Sequence, residues 1–257
     1  MGGPALAMPI VFLKPASCAV FAKKQQGGQE GELPLAVVKV PRDRGSCHYE
    51  TELVLRVGAD GRTFDAVTIG LDLTLRDVQN ECKKTGHPCV FFFAVLVALR
   101  RNKREDEKER EKTKKRERNS LDFVKNQKNL SKKKPRRWES AKVFRGAAVL
   151  GDWVPLPASS PPSAYLDLPF ELDLAGRRNV QTGVGAEMMV PPEEALRHVD
   201  SLMEVCPGDF FFTGTPAGVG PVLPGQDAEV RLLEKEKDTE GEGGAAKALV
   251  RYRVRFE

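Results

Sequence analysis

Two stretches of the chain carry short apolar runs of strand length, each divided from the next by Gly, Pro or Asp. In residues 10–88 the runs IVFLKP, LAVVKV, ELVLRV and VTIGLDLTL predict β-strands, and DVQNECKKTG predicts a short helix ending at Gly86. In residues 138–257 the runs FELDLAG, DFFFTGT, AEVRLLE and ALVRYRVRF predict further strands. They surround one helix, PPEEALRHVDSLMEV: Pro191 and Pro192 open it, acidic residues fill its first turn, and Leu196, Val199, Leu202 and Met203 recur with the helical period. EKEKDTEGEGGAAK predicts a polar hairpin loop. The pattern describes a mostly β (α+β) protein with a few short helices.

Between these stretches lies CVFFFAVLVALRRNKREDEKEREKTKKRERNSLDFVKNQKNLSKKKPRR, which fits neither neighbour. Its apolar part has about half the length that a membrane helix requires, and its charged part has no apolar stripe to bury. The net charge of +5 is localised here, because residues 100–137 hold eighteen Lys and Arg against seven Asp and Glu. The remainder has 23 basic and 29 acidic residues, so the basic isoelectric point belongs to one segment. That segment is not interleaved with aromatic residues and no binding fold surrounds it, so neither nucleic acid nor a membrane is an expected partner. Residues 89–137 are expected to form a low-complexity insertion, disordered or absent from the mature protein, within a single catalytic domain spanning 1–257.

The remaining composition is that of a soluble globular protein, with 40% hydrophobic residues. Five cysteines without a CxxC pair argue against a disulfide framework or a zinc knuckle, and favour a reducing compartment. The start, MGGPALAMPIVFLKP, has neither the basic n-region of a secretory signal nor the arginines of a transit peptide, and a cytoplasmic or mitochondrial location is expected.

Candidate chemistry begins with HYETELVLRVG, which predicts a half-buried strand with Glu50 and Glu52 at alternate positions. Side chains two apart on a strand share a face, so the two carboxylates repel one another unless something positive lies between them. In GLDLTLRDVQ, Asp72 ends an apolar strand and Arg76, Asp77 and Gln79 open a helix. Three carboxylates at one point would suit Mg2+ or Mn2+ rather than zinc, whereas an ExE on the wet face of an edge strand would mean nothing. In FFFTGTPAGVGP an apolar strand runs into a glycine-rich turn, where Thr213 and Thr215 could bond an anionic oxygen; equally, it could be a tight turn alone.

The words FLKP, HYETEL, LDLTLRDVQ, W-x-x-AK-x-F, VQTG followed by MM, and PGDFFFTGTPAGVGP occur in one order. Together they resemble the fumarylacetoacetate hydrolase family, in particular its acylpyruvase and oxaloacetate-decarboxylase branch, over nearly the whole chain outside residues 89–137. The resemblance implies a fumarylacetoacetase C-terminal-domain-like β roll, a homodimer, and a Mg2+ or Mn2+ ion held by Glu50, Glu52 and Asp72. It further implies that Lys142 in SAKVF binds the substrate's oxygens and that Gln79 and Thr215 hold its carboxylate and keto groups. Arg76, Lys14, Thr213 and Gly214 match polar positions or the turn close to the substrate. The implied reaction is metal-dependent hydrolysis of a C–C bond in an acylpyruvate or related 2,4-dioxo acid. An oxaloacetate decarboxylase or tautomerase using the same site, and a non-catalytic metal-binding member, are the alternatives.

The chain departs from the family pattern in four places. The segment N-Y-x-x-H-x-x-E, which supplies a His and Glu dyad before FLKP, is not present, and His48, His87 and His198 read as neighbour, turn and helix residues. ADGRTFDA leaves room only for a turn where the family has a helix, so Asp72 is expected to sit differently relative to Glu50 and Glu52. Val184 and Gly185 stand where hydroxyl residues are common, and the insertion separates GHP from WESAKVF. A lost N-terminus, a lost helix and a gained low-complexity stretch are what faulty exon joining in a eukaryotic gene would produce.

Overall fold

The computed structural model describes residues 10–27, 29–84, 93–98, 139–157, 160–234 and 247–257. Its largest sheet is built around β5 (Thr51–Val57) and β6 (Phe64–Asp72), an antiparallel pair joined by the turn at residues 58–63. From β5 the sheet continues through β13 (Phe210–Phe212) and β8 (Phe93–Ala98) to β1 (Ile10–Pro15). From β6 it continues through β9 (Ala148–Leu150) to β2 (Ala19–Phe21), and the short β10 (Val154–Pro155) pairs with β6 off this path.

β1 and β2 therefore close the two ends of a seven-strand path, yet only the 3-10 turn Ala16–Cys18 separates them in sequence. Strands about 4.8 Å apart would place the ends of a flat sheet about 29 Å from each other. A connection of four peptide steps reaches about 14 Å at most. The sheet must curl to bring its edges together, and this is the β roll that the resemblance implies.

Phe12, Val54, Ala148, Leu150, Phe210 and Phe212, drawn from strands all round the curl, form one buried cluster inside it. Alternate residues of the same strands, among them Leu53, Leu55, Val67, Ile69, Leu71 and Phe211, face outward into a larger cluster. A strand covered on both sides has no wet face, which is why ELVLRV and VTIGLDL read as continuous apolar runs.

The outer cluster is completed by a second sheet, in the order β12 (Arg177–Val184), β11 (Pro169–Leu174), β15 (Asp227–Leu233), β16 (Ala248–Phe256) and β3 (Leu35–Val38). Here one face is wet and the alternation is strict: Phe170, Leu172 and Leu174 point inward, as do Val230, Leu232, Tyr252 and Val254. On the outer face Arg231 bonds Glu171, Asp173 and Glu229 at 2.9, 2.8 and 2.7 Å. A small third sheet joins β4 (Cys47–Tyr49), β7 (Thr74–Leu75) and β14 (Gly220–Val222). The longer helices are α1 (Arg76–Lys84) and α4 (Pro192–Leu202); α2 (Glu139–Lys142) and α3 (Ser163–Leu166) are single turns. Among the described residues no helix is long and apolar enough to cross a membrane.

Two expectations need correction. HYETELVLRVG is not one strand: the chain breaks at Glu50, so that β4 joins the small sheet and β5 the roll. Phe93–Ala98, assigned above to the insertion, form β8, paired parallel to β1 and antiparallel to β13. FAVLVA has the length and the composition of a strand between two others, and its charged neighbours hid that signal. The rest of 89–137, with His87 and most of EKEKDTEGEGGAAK, lies outside the described residues.

The two sheets pack tightly at Gly151. A Cβ there would stand 2.6 Å from Val250 Cγ1 and 2.8 Å from the ring of Tyr252, whose hydroxyl donates to Ile69 O across the same contact. Gly151→Ala is expected to destabilise the protein by about 1–3 kcal/mol, the usual cost of overpacking. Thermal denaturation should record it as a fall of about 2–4 °C per kcal/mol.

Candidate metal centre

Side-chain alternation on the curled strands decides what fills one end of the roll. Lys14 lies on the Phe12 face of β1, Glu52 on the Val54 face of β5, and Asp72 on the corresponding face of β6, so apolar residues and charges share the interior. Glu50, at the break between β4 and β5, joins them. Ligand oxygens of Glu50, Glu52 and Asp72 lie within 4.8 Å of one another, and the three residues are 3%, 1% and 0% exposed. The pair of glutamates is thus buried in a central strand, not on a wet edge. The turn that replaces the expected helix before β6 still delivers Asp72 to the same point.

Three basic side chains meet these carboxylates. Lys142, at the end of α2, donates from Nζ to Glu50 Oε2 at 2.5 Å and to Asp72 Oδ2 at 2.7 Å. Lys14 donates from Nζ to Asp72 Oδ1 at 2.5 Å and to the Ala147 carbonyl at 2.6 Å. Arg76, the first residue of α1 and one-fifth exposed, reaches Glu50 Oε1 at 3.1 Å and Gln79 Oε1 at 2.5 Å. Gln79 is one turn further along that helix, which is why an Arg and a Gln three apart can meet.

The two buried lysines respond oppositely to this setting. Burial opposes the charge of Lys142, but Asp72 and Glu50 outweigh it and hold the ammonium above the usual lysine range. For Lys14 burial prevails over the attraction of Asp72, and its proton affinity falls. Asp72, although burial resists its ionisation, is kept below the usual carboxyl range by Lys14 and Lys142. Glu52 goes the other way: burial, and then the charge of Asp72, raise its carboxyl well above the usual range. Its Oε2 accepts the Gly214 N–H at 2.7 Å, which lowers the carboxyl only slightly, while Oε1 has no partner.

Thr213, Gly214 and Thr215 line the edge of this cluster, and their bonds go to β5. The Thr213 hydroxyl donates to Leu53 O and the Thr215 hydroxyl to Thr51 O, both at 2.9 Å. Gly214 takes φ 97°, a left-handed conformation natural to glycine, and so aims its N–H at Glu52. Sequence reasoning missed Gln181 of β12, which is 2% exposed and bonds both the Thr51 N–H and Thr215. The word VQTG carried it, but without a sign that this polar residue lies inside. Of the histidines, His48 of β4 lies beside Glu50 with Nδ1 buried, and burial lowers its proton affinity; His198 lies on α4, away from the cluster's hydrogen bonds.

The residues fit a divalent cation. Among the described residues, the buried side-chain atoms without a partner are His48 Nδ1, Thr51 Oγ1, Glu52 Oε1, Thr74 Oγ1 and Gln79 Nε2. All belong to the two short segments that flank the carboxylates. A buried polar atom without a partner is costly, and two of these, Glu52 Oε1 on a carboxylate of the cluster and Gln79 Nε2 beside Arg76, mark where further groups would bind. Glu52 Oε1 requires a cation or a proton donor and Gln79 Nε2 an acceptor, and three carboxylate ligands suit a hard ion such as Mg2+ or Mn2+.

Comparison with known proteins finds likenesses in sequence and in fold. The family model described as fumarylacetoacetate (FAA) hydrolase C-terminal matches residues 120–246. The oxaloacetate tautomerase YcgM of Escherichia coli strain K12 is 25% identical over 241 residues, covering 90% of this chain and 80% of the relative. A solved structure from Oleispira antarctica, described as a fumarylacetoacetate isomerase/hydrolase, superposes with TM-score 0.61 at 25% identity, covering 95% of this chain and 80% of the other. The fold is also that of fumarylpyruvate hydrolase from Pseudomonas aeruginosa, solved in complex with Mn2+ and pyruvate, with TM-score 0.54 at 21% identity over 94% of this chain and 76% of the other. The family words, the roll and the carboxylate cluster thus accompany a likeness to the fumarylacetoacetate hydrolase family, whose model matches just under half of the chain and whose fold the chain shares.

Proposed function

We propose that this chain interconverts the enol and keto forms of a 2-oxo dicarboxylic acid of the oxaloacetate type at a divalent cation held by Glu50, Glu52 and Asp72. The observation that carries this reading is the charge balance of the buried cluster. Three carboxylates face three basic side chains, Lys14, Lys142 and Arg76, and transfer of a proton between any two of them leaves the sum unchanged. Uncompensated charge is expensive in such a site. A cation of charge +2 would therefore be best accompanied by a dianion, which a 2-oxo dicarboxylate is.

When bound, the cation supplies a Lewis acid that lowers the cost of negative charge on the substrate's 2-oxo and adjoining carboxylate oxygens. Lys142, kept charged by its carboxylate neighbours, is a fixed hydrogen-bond donor for the same charge as the enolate develops. Gln79 Nε2 and the partly exposed guanidinium of Arg76 stand together on the first turn of α1, suited to a substrate carboxylate entering from solvent. The Phe12, Val54 and Phe212 side of the roll interior keeps water from the charges and so strengthens them. The name of the tautomerase relative supports the reading.

Hydrolysis of an acylpyruvate is a second reading, favoured by the family words LDLTLRDVQ and TGTPAGVGP and by the fold shared with a fumarylpyruvate hydrolase. It would release the enolate of pyruvate, whereas tautomerisation passes through the enolate of the intact 2-oxo dicarboxylate, so the assay must separate the two. Decay of the oxaloacetate enol absorbance should accelerate with Mg2+ or Mn2+, cease with a chelator, and release no pyruvate. Pyruvate release from an acylpyruvate alone would establish the second reading instead. No metal-dependent rate on either substrate would dismiss both. Lys142→Met should reduce the rate at least about 100-fold if its ammonium stabilises developing charge.

Glu52 provides an independent check. A carboxyl that binds its proton more tightly in the folded state stabilises the fold at low pH, and that contribution is lost as the pH rises through its folded-state pKa. Metal-free protein should therefore lose thermal stability, as the pH rises above the usual carboxyl range, more steeply than Glu52→Gln, which keeps an acceptor for the Gly214 N–H and carries no charge. The same substitution should abolish Mn2+ binding in a calorimetric titration.

A further inference from the structure

The ladder between β5 and β13 stops short of the carboxylates. β13 pairs through Phe212 with Val54, and beyond that point the glycine-rich turn, residues 213–219, diverges from β5. Thr51, the residue that spaces Glu50 from Glu52, is left with no strand on that side. Its backbone groups are nevertheless bonded there, by side chains. Thr51 N–H donates to Gln181 Oε1 at 2.9 Å, and Thr51 C=O accepts from the Thr215 hydroxyl at 2.9 Å. Gln181 Nε2 completes a ring by donating to Thr215 Oγ1 at 2.9 Å and to Pro216 O at 3.0 Å.

Gln181 does this from an unusual place. β12 is an edge strand of the second sheet and half of its eight residues are exposed, yet this amide is buried and bonded at both ends. A side-chain amide that presents one acceptor and two donors can imitate the peptide group of a missing strand. Resting on the metal-centre reading above, we propose that Gln181 is a positioning residue for the cation. It stands in for the absent stretch of β13, fixes the Glu50–Thr51–Glu52 backbone, and holds the glycine-rich turn so that Glu52 Oε1 remains bare toward the centre. The turn can then leave β5 and open the space that a bound 2-oxo acid needs, without surrendering the register of the two glutamates.

The test is direct Mn2+ binding, by calorimetry and electron paramagnetic resonance, on the full chain. Gln181→Met has similar volume and neither donor nor acceptor; it should weaken Mn2+ about 10–100-fold, the usual effect of removing a partner that orients ligands, and broaden the Mn2+ resonance. Leu172→Ala is the control: Leu172 is fully buried and directly opposite Gln181 across the sheet, so its loss should lower the melting temperature and leave Mn2+ affinity within about twofold. If Gln181→Met does not fold, Gln181→Glu, which keeps an acceptor for Thr51 and loses both donors, should still bind Mn2+ at least about fivefold more weakly than the unaltered chain. Unchanged affinity and spectrum in a folded Gln181 variant, or an equal loss in Leu172→Ala, would overturn the role of Gln181 while leaving the metal centre intact. Failure of the unaltered chain to bind Mn2+ would instead remove the metal centre, and this role with it.

Discussion

Three carboxylates cannot be taken out of water together without positive charge among them, and much of this protein's construction answers that requirement. Lys14 arrives from β1, Lys142 from α2 after a long excursion of the chain, and Arg76 from the start of α1. Each is remote in sequence from the carboxylate that it bonds, so the cluster exists only when the roll has formed. The balance is incomplete at Glu52, where burial works against the charge and one oxygen has no partner. A structure optimised for stability alone would have put an apolar residue there; retaining the glutamate is a cost that a bound cation offsets.

The glycine-rich turn illustrates how one local choice serves both fold and chemistry. Thr213 and Thr215 look, in isolation, like hydroxyls waiting for an anion. In the fold they extend the ladder of β5 beyond the end of β13, so their effect on any ligand acts through the glutamates. Only the glycine between them, in a conformation other residues adopt with difficulty, lets the chain depart from the strand while still bonding Glu52.

Much of this was legible in the sequence, and the illegible parts have physical causes. β1, β5, β6, β11, β15, β16 and α4 carry enough consecutive residues for their periodicity to stand out. β4, β7, β9 and β14 are two or three residues long and have no period to read. β12 is polar because it lies at a sheet edge, and that polarity concealed its one buried residue, Gln181. The carboxylate spacing was visible, but burial is a tertiary property, and nothing local separates ExE in a core from ExE on a surface. Lys14 and Lys142 resemble surface lysines by every local measure; only the family words FLKP and SAKVF singled them out. Phe93–Ala98 have the composition of a strand, and the charged run beside them led to the opposite reading.

The curl of the main sheet has a consequence for how the molecule comes together. β1 and β2 are the last strands to find neighbours on either flank, and the three residues between them form the seam. Lys14, one residue before the end of β1, reaches across that end of the roll to Asp72, 58 positions away in the chain. The ion pair works as a clasp: while the seam is open Asp72 lacks one of its two ammoniums, and when it shuts both are in place. Closure of the barrel and completion of the charge cluster are thus a single event. The pairing it requires is non-local, and a chain that has not closed is one that has not acquired its chemistry.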